Sequence, residues 1–259
     1  MALSAANPIS IVHRDILAAA MLLTRIPIEW PYNEAPNTAR SYWAFPLIGI
    51  GVAAIPALLG AMLYSLGIPA LAAAALMIIT AAMMTGGLHQ DGLADLGDSF
   101  GGHAPEQRLA IMHDSAIGSY GTLALITNLI IQISCLAALA GLDPQLMAQA
   151  MIAVAAMSRG MMGLQRWAHT PPNIDGLAGR TGAPDRQMML IGLLLALLAG
   201  IVFLPPVMAA VLLCAGVIIT YLLGRFLKAW IGGVNGDGLG ATQQISATVM
   251  LLVLTALLT

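Results

Sequence analysis

Long apolar runs, broken by polar stretches, set the pattern of this chain. Seven runs are long enough to be membrane spans, at about 43–66, 68–86, 117–140, 146–164, 187–204, 206–223 and 240–258. Each predicts a helix, because a segment in lipid must satisfy its own backbone hydrogen bonds. Residues 10–24 are apolar but too short to cross, which predicts an amphipathic or re-entrant interfacial helix. Residues 25–42 are polar and proline-rich. Pro205-Pro206 reads as a tight turn between two short spans. The expected fold class is therefore all-α: one polytopic membrane helix bundle, residues 1–259, with about seven spans and an N-terminal interfacial helix.

Composition agrees. Hydrophobic residues make up 59% of the chain, and mean hydropathy is +0.87, far from a soluble domain. A net charge of −2 points to no nucleic-acid partner. Cys135 and Cys214 lie inside apolar runs and read as free thiols. His13-Arg14 followed by Ile16 to Leu23 has the outline of a signal peptide. No small-x-small cleavage site precedes Thr24-Arg25-Ile26-Pro27, so the segment is expected to be retained.

Charge placement predicts an orientation. The connections near 67, 141–145 and 205 carry no Arg or Lys. Every basic residue except Arg159 lies in 1–42, 87–116, 165–186 or 224–239. By the positive-inside rule these long connections are cytoplasmic and the C-terminus lies on the other side; the expected location is the cytoplasmic (inner) membrane. All five histidines, the four tryptophans and every acidic residue except Asp143 fall on the same side. A transporter usually keeps polar groups near the midplane, whereas here the chemistry gathers at one face.

Only 8% of the chain is charged, yet Asp91, Asp95 and Asp98 fall within eight residues. On a helix they are i, i+4 and i+7, within roughly 60° of arc. Carboxylates that close raise each other's pKa unless a cation neutralises them. Mg²⁺, a hard ion that takes a few carboxylates and substrate phosphates, would do so. Gly92, Ala94 and Gly97 keep the surface between them low, and Gly86-Gly87 and Gly101-Gly102 let the backbone turn. The alternative is a solvated acidic helix start.

Four other places could carry chemistry. In His113-Asp114-Ser115, Asp114 would complete a metal shell and His113 would act as a base, or Asp114 or Ser115 caps the next helix. Arg159 and Arg166 share a helix face. Arg159, inside a span, either pairs with an aspartate or grips phosphate, and Arg166 grips phosphate or anchors the interface. The glycine-rich turn Gly232 to Gly240, with Gly236 and Asp237, opens the last span and offers free N–H groups to an anion, or is a flexible loop. It lacks the GK[ST] of a P-loop.

The segment GGLHQDGLADLGDSFGG resembles the cobalamin-5′-phosphate synthases, also called adenosylcobinamide-GDP ribazoletransferases. Leu23 to Pro27, Ala39-Arg40-Ser41 with Phe45 to Gly49, His113 to Gly121, and Gly236 to Ala241 resemble further family segments in the same order. Gln90 and Gln243-Gln244 stand where members often carry acidic residues. The resemblance implies a Mg²⁺-dependent membrane transferase. It would join adenosylcobinamide-GDP to α-ribazole or α-ribazole 5′-phosphate, releasing GMP, with other corrinoid-pathway enzymes as candidate partners. Asp91, Asp95, Asp98 and Asp114 would hold the metal, and His113 or a carboxylate would take the hydroxyl proton. Arg25, Arg159, Arg166, Gly236 and Asp237 would hold substrate, with Asp91, Asp95, His113 and Arg159 closest to the chemistry. The rivals are a cation or metabolite transporter using the aspartates as an ion site, and a docking scaffold.

Overall fold

The computed structural model describes residues 8–173 and 176–259, and no strand occurs among them. In chain order the helices are α1 (Pro8–Leu23), α2 (Thr38–Ser41), α3 (Phe45–Ser65), α4 (Ala70–Thr85), α5 (Leu88–Asp98), α6 (Pro105–Met112), α7 (Ser119–Leu142), α8 (Pro144–Ala168), α9 (Leu177–Arg180), α10 (Arg186–Phe203), α11 (Pro206–Ile231) and α12 (Gly236–Leu258).

All seven expected span helices form. Five of them are long and apolar enough to cross a membrane: residues 38–65 including α3, then α7, α10, α11 and α12. The number is six if α4 and α5, bent by 94° at their junction, count as one broken span. Length and apolarity alone thus pick out five or six of the about seven expected. We read α5, which carries the three aspartates, as lying outside the spans, along one end of the bundle.

The helix missing from the count is α8. It is 25 residues long, enough for about 38 Å, but its polar residues lower its hydropathy. They do not meet lipid, because residues 153–163 are buried on every side by α3, α7, α10, α11 and α12. A helix buried all round is shielded by protein and need not be apolar. The outer helices carry the lipid-facing surface, with Leu58, Met83, Val202, Val207 and Ile218 each more than half exposed.

Polar side chains inside the bundle pair with one another. Asn128 and Gln132, one turn apart on α7, meet Gln244 and Thr248, one turn apart on α12. Gln244 Nε2 donates to Gln243 Oε1 at 2.7 Å, and Gln243 Nε2 donates to Ser158 Oγ on α8 at 2.9 Å. In a dry interior an unpaired amide costs more than a paired one gains, so this chain of bonds fixes how α7, α8 and α12 are rotated.

Helix ends follow local chemistry. Pro206 opens α11 as expected. That helix runs eight residues beyond the expected stop at 223, because Arg225 and Lys228 lie on its exposed face rather than in a loop. It ends where Gly232 turns left-handed at φ +83°. At the N-terminus, buried Asp15 of α1 accepts from Arg40 Nε at 3.0 Å and from Trp43 Nε1 at 2.9 Å. This ties the interfacial helix to the start of α3.

Candidate active site

A cavity of about 860 Å³ opens where α5, the α6–α7 connection, residues 172, 173, 176 and 178 and the start of α12 meet. Gly86 and Gly87, at φ +67° and +71°, make the sharp turn from α4 into α5. Two successive left-handed residues favour glycine. The turn swings α5 across the end of the bundle and onto α12. There the crossing is so close that a Cβ on Gly92 would sit 2.6 Å from Asp237 O and 2.9 Å from Asp237 Cα. This contact brings Asp91 and Asp95 of α5 beside Asp237 of α12. Gly92→Ala is therefore expected to lower melting temperature, at an overpacking cost of about 1–3 kcal/mol. It should also reduce turnover, because the two backbones must separate; calorimetry and kinetics on the same preparation check it.

The cavity wall holds Arg25, Asp91, Asp95, His113, Asp114, Gly236 and Asp237 together. Of the residues expected to hold a metal or substrate, Asp98, Arg159 and Arg166 are not in that wall. Asp98 Oδ2 accepts from Gly118 N at 2.7 Å, and Oδ1 accepts from Gly121 N at 2.8 Å. Its carboxylate thus caps α7 from the end of another helix, where unpaired N–H groups and the dipole favour negative charge. The expected local cap is not used: Asp114 Oδ1 instead accepts from Ala116 N within its own turn.

Arg166 is buried and binds main chain. Nη1 donates to His169 O at 2.9 Å and Nη2 to Ala178 O at 3.1 Å, which ties these two carbonyls to α8. Arg159 lies deeper, in a separate interior pocket, and donates to Ala155 O of its own helix. Neither pairs with an aspartate. The arginine that does reach the cavity is Arg25. Its N–H donates to Met84 O at 2.8 Å, and its side chain lies across Gly86.

His113 is placed by α6, which Arg108 locks against α11. Arg108 Nη1 donates to Trp230 O at 2.9 Å, and its guanidinium stacks 3.5 Å from the Trp230 ring centre. His113 Nδ1 is 2.6 Å from Leu109 O. A carbonyl only accepts, so Nδ1 carries the proton and Nε2 keeps its lone pair free. The imidazole is poised to take a proton in the cavity.

Asp95 is the most perturbed carboxyl of α5. Partial burial, then the charges of Asp237, Asp91 and Asp98, push it up to about 7. None of Asp91, Asp95, Asp114 and Asp237 is in an ion pair among the described residues. Excess negative charge on hard oxygen donors suits a hard divalent cation. No three His, Cys, Asp or Glu side chains among the described residues are gathered into a metal shell. Mg²⁺ needs only one or two carboxylates when phosphate and water supply the rest, and Asp91, Asp95, Asp114 and Asp237 line one cavity wall. The donor set therefore fits Mg²⁺.

One functional residue escaped the sequence reading. Asn235 caps α12, accepting from Gly238 N at 2.9 Å, and its Nδ2 donates to Asp237 Oδ2 at 2.8 Å. An asparagine just before an apolar run is a recognised cap signal. With that cap and the Asp237 carboxylate in the first turn, the start of α12 is not the open anion cradle that the glycines suggested.

An all-α membrane bundle with carboxylates, a poised imidazole and an arginine around one cavity at its end is a membrane-embedded enzyme. The chain belongs to the cobalamin-5-phosphate synthase family, whose model matches residues 15–255. Among its relatives, a protein of Azorhizobium caulinodans named adenosylcobinamide-GDP ribazoletransferase is 37% identical over 249 residues, 92% of this chain and 94% of that one. Relatives of the same name from Rhizobium etli and Rhizobium johnstonii are 40% and 38% identical, each over 89% of this chain and 92% of their own. No solved structure matches.

Proposed function

We infer that this protein is an adenosylcobinamide-GDP ribazoletransferase, acting in the last step of cobalamin assembly. The observation that carries the reading is the near end-to-end match to relatives of that one name, joined to a cavity whose residues suit the reaction. The acceptor is α-ribazole or its 5′-phosphate. Its hydroxyl oxygen bonds to the phosphorus on the cobinamide side of adenosylcobinamide-GDP. The phosphoanhydride P–O bond breaks, and GMP leaves with the bonding pair. His113 Nε2 takes the hydroxyl proton. Arg25 offers its guanidinium to phosphate oxygens.

Mg²⁺, held by one or two of Asp91, Asp95, Asp237 and Asp114, would neutralise charge on the diphosphate. Asp237 thereby replaces Asp98 in the expected metal set. Arg166 ties the His169 and Ala178 carbonyls to α8, and Gly236 keeps the floor low. The test is direct: purified protein with adenosylcobinamide-GDP and α-ribazole 5′-phosphate should release GMP, and chelating Mg²⁺ should stop it. Absence of GMP with Mg²⁺ present would overturn the reading and favour a transporter.

We also propose that the cavity faces the cytoplasm from the inner membrane. The segments that build it carry the basic residues, which the positive-inside rule keeps in the cytoplasm. A reporter after Thr259 should be active only outside, and tags within 165–186 only inside. A cytoplasmic C-terminus would reverse the assignment of α12.

A further inference from the structure

A second cavity lies inside the bundle, apart from the acidic one and sharing none of its lining residues. It measures about 50 Å³, between α3, α4, α5, α7, α8 and α12, and is lined by apolar side chains together with Arg159, His89, Gln90 and other polar side chains. Arg159 dominates its electrostatics. It is 4% exposed and makes one hydrogen bond, Nη1 to Ala155 O at 3.0 Å. Its Nε has no partner. Among the described residues the ion pairs are Arg14–Glu34 and Arg40–Asp15, so Arg159 is in none. No carboxylate lines this cavity.

A guanidinium holds its charge at any pH a protein survives, and it presents five N–H donors. Buried without a counter-charge, such a cation is strongly disfavoured. Two further buried atoms beside it lack partners: His89 Nε2 and Gln90 Oε1. His89, 1% exposed, donates from Nε2 in the tautomer protonated there. Arg159 of α8 and His89 of α5 then offer donors to one small space. About 10–15 Å³ suffices for one water, so the cavity admits a single small ion and excludes a nucleotide diphosphate. A water molecule would occupy the donors but leave the charge uncompensated.

We propose that this cavity binds one small monovalent anion of the chloride class, the counter-ion of Arg159. The ion holds α8 and α5 together behind Asp91 and Asp95, and takes no part in bond breaking. In the full chain purified in detergent, melting temperature should rise by about 3–6 °C between chloride-free gluconate and 200 mM chloride at constant ionic strength. Bromide should act alike. Arg159→Gln, which removes the charge, should melt at the same temperature in both buffers. Crystals grown in bromide should show an anomalous peak beside Arg159; this, with the wild-type titration, decides the matter even where the variant does not fold. A flat wild-type titration, a halide response retained in Arg159→Gln, or cavity density without bromide signal, meaning water, would each overturn the proposal.

Discussion

Asp91→Asn and Asp95→Asn should each lower turnover at least about a hundredfold while the protein stays folded. Both carboxylates stand in the cavity wall with Asp237, and each variant keeps the shape of the side chain while deleting one charge. The two differ in what else they report. Asp95 is pushed up to about 7 by burial and by its acidic neighbours, so its ionised form is disfavoured in the folded chain. Without Mg²⁺ at pH 8, Asp95→Asn should therefore melt no lower than the wild type, because it removes repulsion. In the wild type a proton competes with the metal for Asp95 as pH falls through about 7. The Mg²⁺ concentration for half-maximal rate should rise between pH 8 and pH 6, and that rise should be smaller in Asp95→Asn. Steady-state assays across Mg²⁺ concentration and pH measure all of this. Near wild-type turnover in Asp95→Asn at limiting Mg²⁺ would remove the metal role.

His113→Ala should lower kcat by about a hundredfold or more, with KM changed only a few-fold, since a positioned base typically contributes 10²–10⁴. The argument rests on geometry. Leu109 O fixes the proton on Nδ1 and leaves the lone pair on Nε2, and His113 lines the cavity that also holds the aspartates. Added imidazole should restore part of the lost rate in the variant and none in the wild type, because the truncated side chain leaves a space of that shape. Melting temperature should hardly move, since His113 lies in an exposed connection. An unchanged kcat would transfer the proton to a carboxylate.

Much of the protein was legible in its sequence. Apolar runs in lipid leave helices as their only solution, so all seven helices could be placed to within a few residues at most ends. Chain punctuation marked the turns at Gly86-Gly87 and Pro205-Pro206. The i, i+4 spacing put Asp91 and Asp95 on one face, and local composition picked out His113, Asp114 and Gly236-Asp237. The run at 146–164 placed α8 among the spans, although hydropathy along one chain could not show that its neighbours screen it from lipid. One thing misled. Periodicity tells which residues share a face but not what that face meets. Asp98, aligned with Asp91 and Asp95, turns to the N-terminus of α7, and Arg159 and Arg166, aligned with each other, part to an interior cavity and a surface loop. Asp237 joins the aspartates from about 140 residues away because Gly92 lets two helix backbones touch. Sequence by itself determined the helices, the membrane and the kind of chemistry. Which charges stand together was decided only by the angle and closeness at which α5 crosses α12, a tertiary contact that no local spacing encodes.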